Sequence, residues 1–193
     1  MNSKTKKLAV MGILTALSVV LMLFVHFPLF PSAPFLEYDP ADVPILIGAF
    51  AYGPLAGILM TVVVSVIQGF TVSVASSYYG VIMHVIATST LVLVASGIYK
   101  FRHTRMGAVI GLVCGTLAMS VMMMVANHFI TPIFMGAPVE VVDAMLVPVI
   151  LPFNLLKAGI NSVLTFIVYK AVSKYIIKGD AFPKKRVPLD SEA

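Results

Sequence analysis

Asn154, Lys157 and Asn161 stand at i, i+3 and i+7 inside an otherwise apolar run, so a helix places all three on one face. Lysine brings three hydrogen-bond donors, and each asparagine amide brings both donors and acceptors. On such a face they suit a polar, planar or carbonyl-bearing organic molecule. Lys157 is also the one basic residue, of thirteen Lys and Arg, that does not flank a hydrophobic segment. A cation at bilayer depth is expensive, and it faces a cavity or a partner there. Two readings stay open. Either these residues bind a ligand, with Asn127 near the outer end of the preceding span, or Lys157 is neutralised by Asp42 or another acid and the asparagines join helices.

The elements that must position this face are membrane helices. The chain of 193 residues is 60% hydrophobic and 11% charged, where a soluble domain carries about 25% charge. Apolar runs predict spans at 8–25, 80–99, 106–130 and 148–172. The first resembles a signal peptide at its basic start, but Leu8–Val25 exceeds the usual apolar core of about 7–15 residues and predicts a retained span. Between the first two spans, Ala51-Tyr52-Gly53-Pro54 carries a turn signal that divides the chain into a short segment, 42–52, and a second, 54–71. The short segment is expected to pack against its neighbours rather than to cross as a lipid-exposed span.

The sum is an all-α integral membrane protein with six transmembrane helices. The basic N-terminus, the 100–105 loop and the basic tail all then lie in the cytoplasm, as the positive-inside bias requires. Residues 1–175 form one membrane domain, and 176–193 a cytoplasmic basic tail expected to be disordered. The opposite face, 26–42, 72–79 and 131–147, holds Glu37, Asp39, Asp42, Glu140 and Asp143 and no Lys or Arg. The net charge of +5 thus reflects orientation and contact with anionic lipid, not a nucleic acid.

Residues 26–42 interleave Pro28, Pro31, Pro34 and Pro40 with Phe27, Phe30, Phe35 and Tyr38. Proline fixes the backbone, so this loop is stiff. It is either an interfacial aromatic belt or a cap over an outward-facing pocket. Small-residue strips mark helix contacts: Ala9, Gly12 and Ala16 on the first span, and Gly107, Gly111 and Gly115 on the fifth.

Several chemistries have no signature. The single Cys114 excludes an internal disulfide, and His26, His84 and His128 have no metal-ligand spacing. No phosphate loop is present, and no HExxH, GxSxG or paired catalytic carboxylate lies within a span. The chain reads as a non-enzymatic solute-binding subunit that borrows energy from partners, or as a stand-alone facilitator. An intramembrane lipid enzyme using Lys157 and the outer carboxylates is the weaker rival, for want of an acid–base pair at close spacing.

The block Phe35-Leu-Glu-Tyr-Asp-Pro-Ala-Asp-Val-Pro-Ile-Leu-Ile-Gly-Ala-Phe-Ala-Tyr-Gly-Pro-Leu-Ala-Gly57, with Asn154-Leu-Leu-Lys157, closely resembles the riboflavin-specific substrate-binding components of energy-coupling-factor transporters. The resemblance covers essentially 8–175. It implies a six-helix subunit of the bacterial cell membrane that binds riboflavin near the outer face as cargo, with no cofactor or metal. It further implies a transmembrane coupling protein and two ATP-binding-cassette ATPases as partners. Carried over, the ligand contacts fall on Leu36 and its neighbours in the first loop, on Asn127, and on Asn154 and Lys157. Glu37, Asp39, Asp42 and Asn161 join them as candidates from the acidic loop and the polar helix face. The Ala9, Gly12, Ala16 strip resembles the family's AxxxA contact with the coupling protein, with Gly12 in place of the first alanine. A component for another vitamin remains the nearest alternative.

Overall fold

The computed structural model describes residues 3–31 and 33–176. The tail expectation for 177–193 therefore lies outside the described residues. Helices dominate: α1 (Ser3–Phe24), α2 (Asp42–Tyr52), α3 (Pro54–Phe70), α4 (Ser77–Phe101), α5 (Arg105–Met135), α6 (Val139–Met145) and α7 (Leu151–Ile176). A π turn over Leu146–Ile150 joins α6 to α7. Among the described residues, four helical stretches are long and apolar enough to cross a membrane: Lys4–Phe24, Tyr78–Phe101, Arg105–Met135 and Val139–Tyr169. Helices α2 and α3 are shorter, at 11 and 17 residues.

The α2–α3 break falls where the turn signal places it. Gly53 takes φ +94°, which favours glycine, and Pro54 opens α3 at a position whose amide has no helical partner. Every residue from Asp42 to Ala51 is buried, so α2 is wrapped by protein rather than lipid. That enclosure lets an acidic residue begin it.

Two loop expectations are corrected. The predicted outer loop 131–147 is largely helical: α5 continues to Met135, and a new helix starts at Val139. Gly136, at φ +60°, makes the turn between them, and Pro132 O accepts from both Gly136 N and Ala137 N. The helical path to Lys157 thus begins at Val139, about 27 Å away at 1.5 Å rise per residue, rather than at Pro148. The first loop, read as merely stiff, contains a short antiparallel pair, β1 (Phe27–Pro28) with β2 (Glu37–Tyr38), in which Phe27 faces Tyr38.

The main core draws on α1 through α5 and α7, with Met22, Ile45, Leu46, Met60, Leu91 and Met119 fully enclosed. A second apolar cluster, Ala33, Leu36, Val142, Ile150 and Phe153, pins the first loop onto α6 and α7. The α4–α5 seam explains the glycine strip on α5. A Cβ on Gly111 would meet the Ala95 carbonyl oxygen at 2.5 Å, and one on Gly115 would meet Leu91 at 3.0 Å.

Candidate binding site

Strand β2 and the turn after it carry Glu37, Tyr38 and Asp39 onto the polar face of α7. The Lys157 ammonium donates to Asp39 Oδ2 at 2.7 Å and to the Glu37 carbonyl at 3.2 Å. One turn on, Asn161 Nδ2 donates to the Asp39 carbonyl at 3.1 Å and to Asp42 Oδ2 at 3.0 Å. Its Oδ1 accepts from the Tyr38 hydroxyl at 3.1 Å. The regular face of α7 therefore acts as a clasp for an irregular loop, satisfying backbone carbonyls that have no ladder of their own. Ser18 of α1 completes the hold by donating to Ala41 O at 2.9 Å.

The ion pair is enclosed: Asp39 is 1% exposed and Lys157 7%. Burial by itself pushes the Asp39 carboxyl upward. The Lys157 ammonium, with hydrogen bonds from Lys157 and the Ala41 amide, outweighs burial and holds it below the ordinary carboxylate range. The stabilisation from this depressed pKa is present at neutral pH and lost as pH falls through the folded-state value.

Of the two readings left open for Lys157, the pairing with an outer acid is present, and the acid is Asp39. Yet Lys157 also borders empty space. A cavity of about 620 Å³, including its open mouth, is lined by Phe35, Leu36, Glu37, Asn154 and Lys157 of the first loop and α7 and by Gln68, His84 and Thr88 of α3 and α4. A second, of about 490 Å³, adjoins it through shared walls at Leu36, Gly80, Met123 and Asn154, and reaches Tyr79, Asn127, Thr131 and Phe134. Apolar walls with few placed polar groups are the usual composition of small-ligand sites.

The structure sorts the sequence candidates into two groups. Leu36, Glu37, Asn127, Asn154 and Lys157 line these cavities. Asn127 Nδ2 donates to Met123 O and Asn154 Nδ2 donates to Ile150 O, each at about one helical turn, which leaves every amide a second N–H. Asp39, Asp42 and Asn161, grouped with the ligand contacts on sequence grounds, line neither cavity; Asn161 bonds the loop and Asp42, Asp39 is held by Lys157, and the other oxygen of Asp42 faces α4. Ala9, Gly12 and Ala16 all lie on the exposed side of α1, opposite the buried Leu14, Ser18 and Met22, and a Cβ on Gly12 would touch nothing within 4 Å.

The α3 and α4 wall was missed from sequence. Thr88 donates to Asp42 Oδ1 at 2.6 Å, and His84 pairs with Ser65 at 2.7 Å. The signal was present: Thr61 and Ser65 on α3, and His84 and Thr88 on α4, are each four apart and share a helix face within apolar runs. Considering His84 only as a metal ligand or base hid it.

Comparison with known proteins adds an independent line. The family model described as ECF transporter, substrate-specific component, matches residues 6–169. The chain is similar to the riboflavin transporter FmnP of Bacillus subtilis (strain 168), 32% identical over 182 residues, which span 90% of this chain and 95% of that protein. It is likewise similar to the riboflavin transporter RibU of Staphylococcus aureus (strain TCH60), 26% identical over 179 residues spanning 90% and 93%. A solved S component of a bacterial ECF transporter has the same fold, with a TM-score of 0.80 at 26% identity, covering 90% of this chain and 99% of that one.

Proposed function

The chain belongs to the substrate-specific components of ECF transporters, and from that premise we propose that it is the riboflavin-binding membrane subunit of a vitamin importer. The observation that carries the proposal is the chamber beside Lys157. It is roofed by the first loop, walled by Phe35, Leu36, Met83, Met123 and Phe153, and supplied with donors by Asn127, Asn154 and Lys157. An isoalloxazine has flat apolar faces for the walls and one edge of carbonyls and nitrogens for the donors. In this reading Leu36, Glu37, Asn127, Asn154 and Lys157 contact the flavin, while Asp39, Asp42 and Asn161 hold the loop and the ammonium in place. Riboflavin carries no phosphate, and among the described residues no arginine borders the chamber.

Binding is not uptake. The subunit has no phosphate loop, so energy comes from a transmembrane coupling protein and two ATP-binding-cassette ATPases. The outward-facing Ala9, Gly12 and Ala16 strip is the proposed contact with the coupling protein, since small side chains let a partner helix approach closely. The proposed topology counts α1, α2, α3, α4, α5 and the α6–α7 path as six helices, with both termini cytoplasmic in a bacterial cell membrane. Protein purified in mild detergent is expected to be yellow and to release a flavin on denaturation. Colourless protein that also fails to bind added riboflavin would remove the proposal; capture of a different vitamin would retain the family and change the cargo.

A further inference from the structure

Among the described residues, three buried side-chain atoms have no hydrogen-bond partner: Gln68 Oε1, His84 Nε2 and Ser89 Oγ. The first two belong to residues that line the cavity bordered by Lys157. Buried polar atoms without partners are rare in folded proteins, and each calls for an explanation.

The protonation of His84 follows from its neighbours. Ser65 has one hydroxyl hydrogen, and it goes to the Thr61 carbonyl at 2.7 Å. Ser65 Oγ must then accept from His84 at 2.7 Å, which puts the proton on Nδ1. In the neutral ring Nε2 is left as a lone pair. It stands 3.8 Å from Asp42 Oδ1, an atom that already accepts from Thr88 at 2.6 Å. Two acceptors therefore face each other with no donor between them. A proton on Nε2 would not close this gap, because 3.8 Å exceeds hydrogen-bond reach. Gln68 Oε1, on another residue that lines the same cavity, is a further buried acceptor without a donor.

What is missing is a set of O–H donors. We infer that Gln68 and His84 form a polyol subsite, receiving hydroxyl groups of the ligand on the part of the wall that α3 and α4 supply. The two cavities differ in the way this division requires. The part that reaches Tyr79, Ile130 and Phe134 is the more apolar, with Asn127, Thr131 and Asn154 among its polar groups, and fits a flat ring with one polar edge. The part at Gln68, His84 and Thr88 is the more polar, and fits a chain in which each hydroxyl both donates and accepts. This rests on the riboflavin reading and deepens it, by assigning the ribityl chain to α3 and α4 residues.

The test compares two flavins on purified protein: riboflavin, and lumiflavin, which has a methyl group in place of the ribityl chain. Gln68→Leu and His84→Leu are each expected to weaken riboflavin binding roughly tenfold, the loss of one well-placed hydrogen bond, and to change lumiflavin binding by less than about twofold. Riboflavin affinity unchanged in Gln68→Leu overturns the subsite. So does an equal loss for both flavins in Gln68→Leu, whose side chain is only half-buried and whose replacement leaves the fold least disturbed. Wild-type protein that binds neither flavin removes the riboflavin reading itself, a result distinct from either of these.

Discussion

Lys157 has two duties, and separating them is the central experiment at the residue scale. Its ammonium neutralises a carboxylate that is 1% exposed, while the residue also lines the chamber. Lys157→Ala therefore does more than remove a ligand contact. It strands Asp39 in the interior, and breaking one side of a buried pair costs about 3–5 kcal/mol. The expected result is a lower melting temperature together with weaker flavin binding. Removing both charges with Lys157→Met and Asp39→Leu is expected to recover most of the stability and none of the affinity. Recovery of both would mean that the ammonium serves the fold alone. Asn161 offers the complementary case. Its amide is spent on Asp39, Asp42 and Tyr38, so Asn161→Ala should loosen the first loop and speed flavin release without removing a direct contact.

At the scale of elements, two small-residue strips that look alike in sequence have opposite fates. Gly111 on α5 is an internal seam. Gly111→Ala would drive a methyl group to 2.5 Å from the Ala95 carbonyl, and backbone yields less readily than a side chain. A loss of roughly 1–3 kcal/mol, the usual cost of overpacking, is expected in thermal unfolding of the purified protein. The α1 strip, by contrast, faces away from the bundle. Ala16→Phe should thus leave riboflavin affinity within about twofold, since nothing of its own fold occupies that side. It should abolish uptake in vesicles that carry the coupling protein and ATPases. Uptake that survives would show that the partner docks elsewhere.

For the whole molecule, the six-helix reading predicts a sidedness that labelling can check. With Cys114→Ser as background, a cysteine at His103 should react with a membrane-impermeant reagent only from the cytoplasmic side. One at Glu140 should react only from outside. Both positions are exposed, so absence of labelling from either side would not be a matter of burial. Labelling of both from one face would overturn the topology.

Composition and run lengths alone established a helical membrane protein, because lipid forces every spanning backbone to satisfy its hydrogen bonds internally. The Gly53-Pro54 break and the burial of α2 were equally legible, since both follow from local backbone chemistry and from a segment too short to span. The spacing of Asn154, Lys157 and Asn161 was enough to place them on one face. It could not say which of them touches a cavity and which is consumed by the loop. That division was decided only by tertiary structure. It depends on where Asp39 and Tyr38 arrive from more than a hundred residues away, and on α3 and α4 closing the far wall with Gln68 and His84. Helical periodicity is a property of neighbours in sequence, whereas a binding chamber is the space left over when distant segments have satisfied one another.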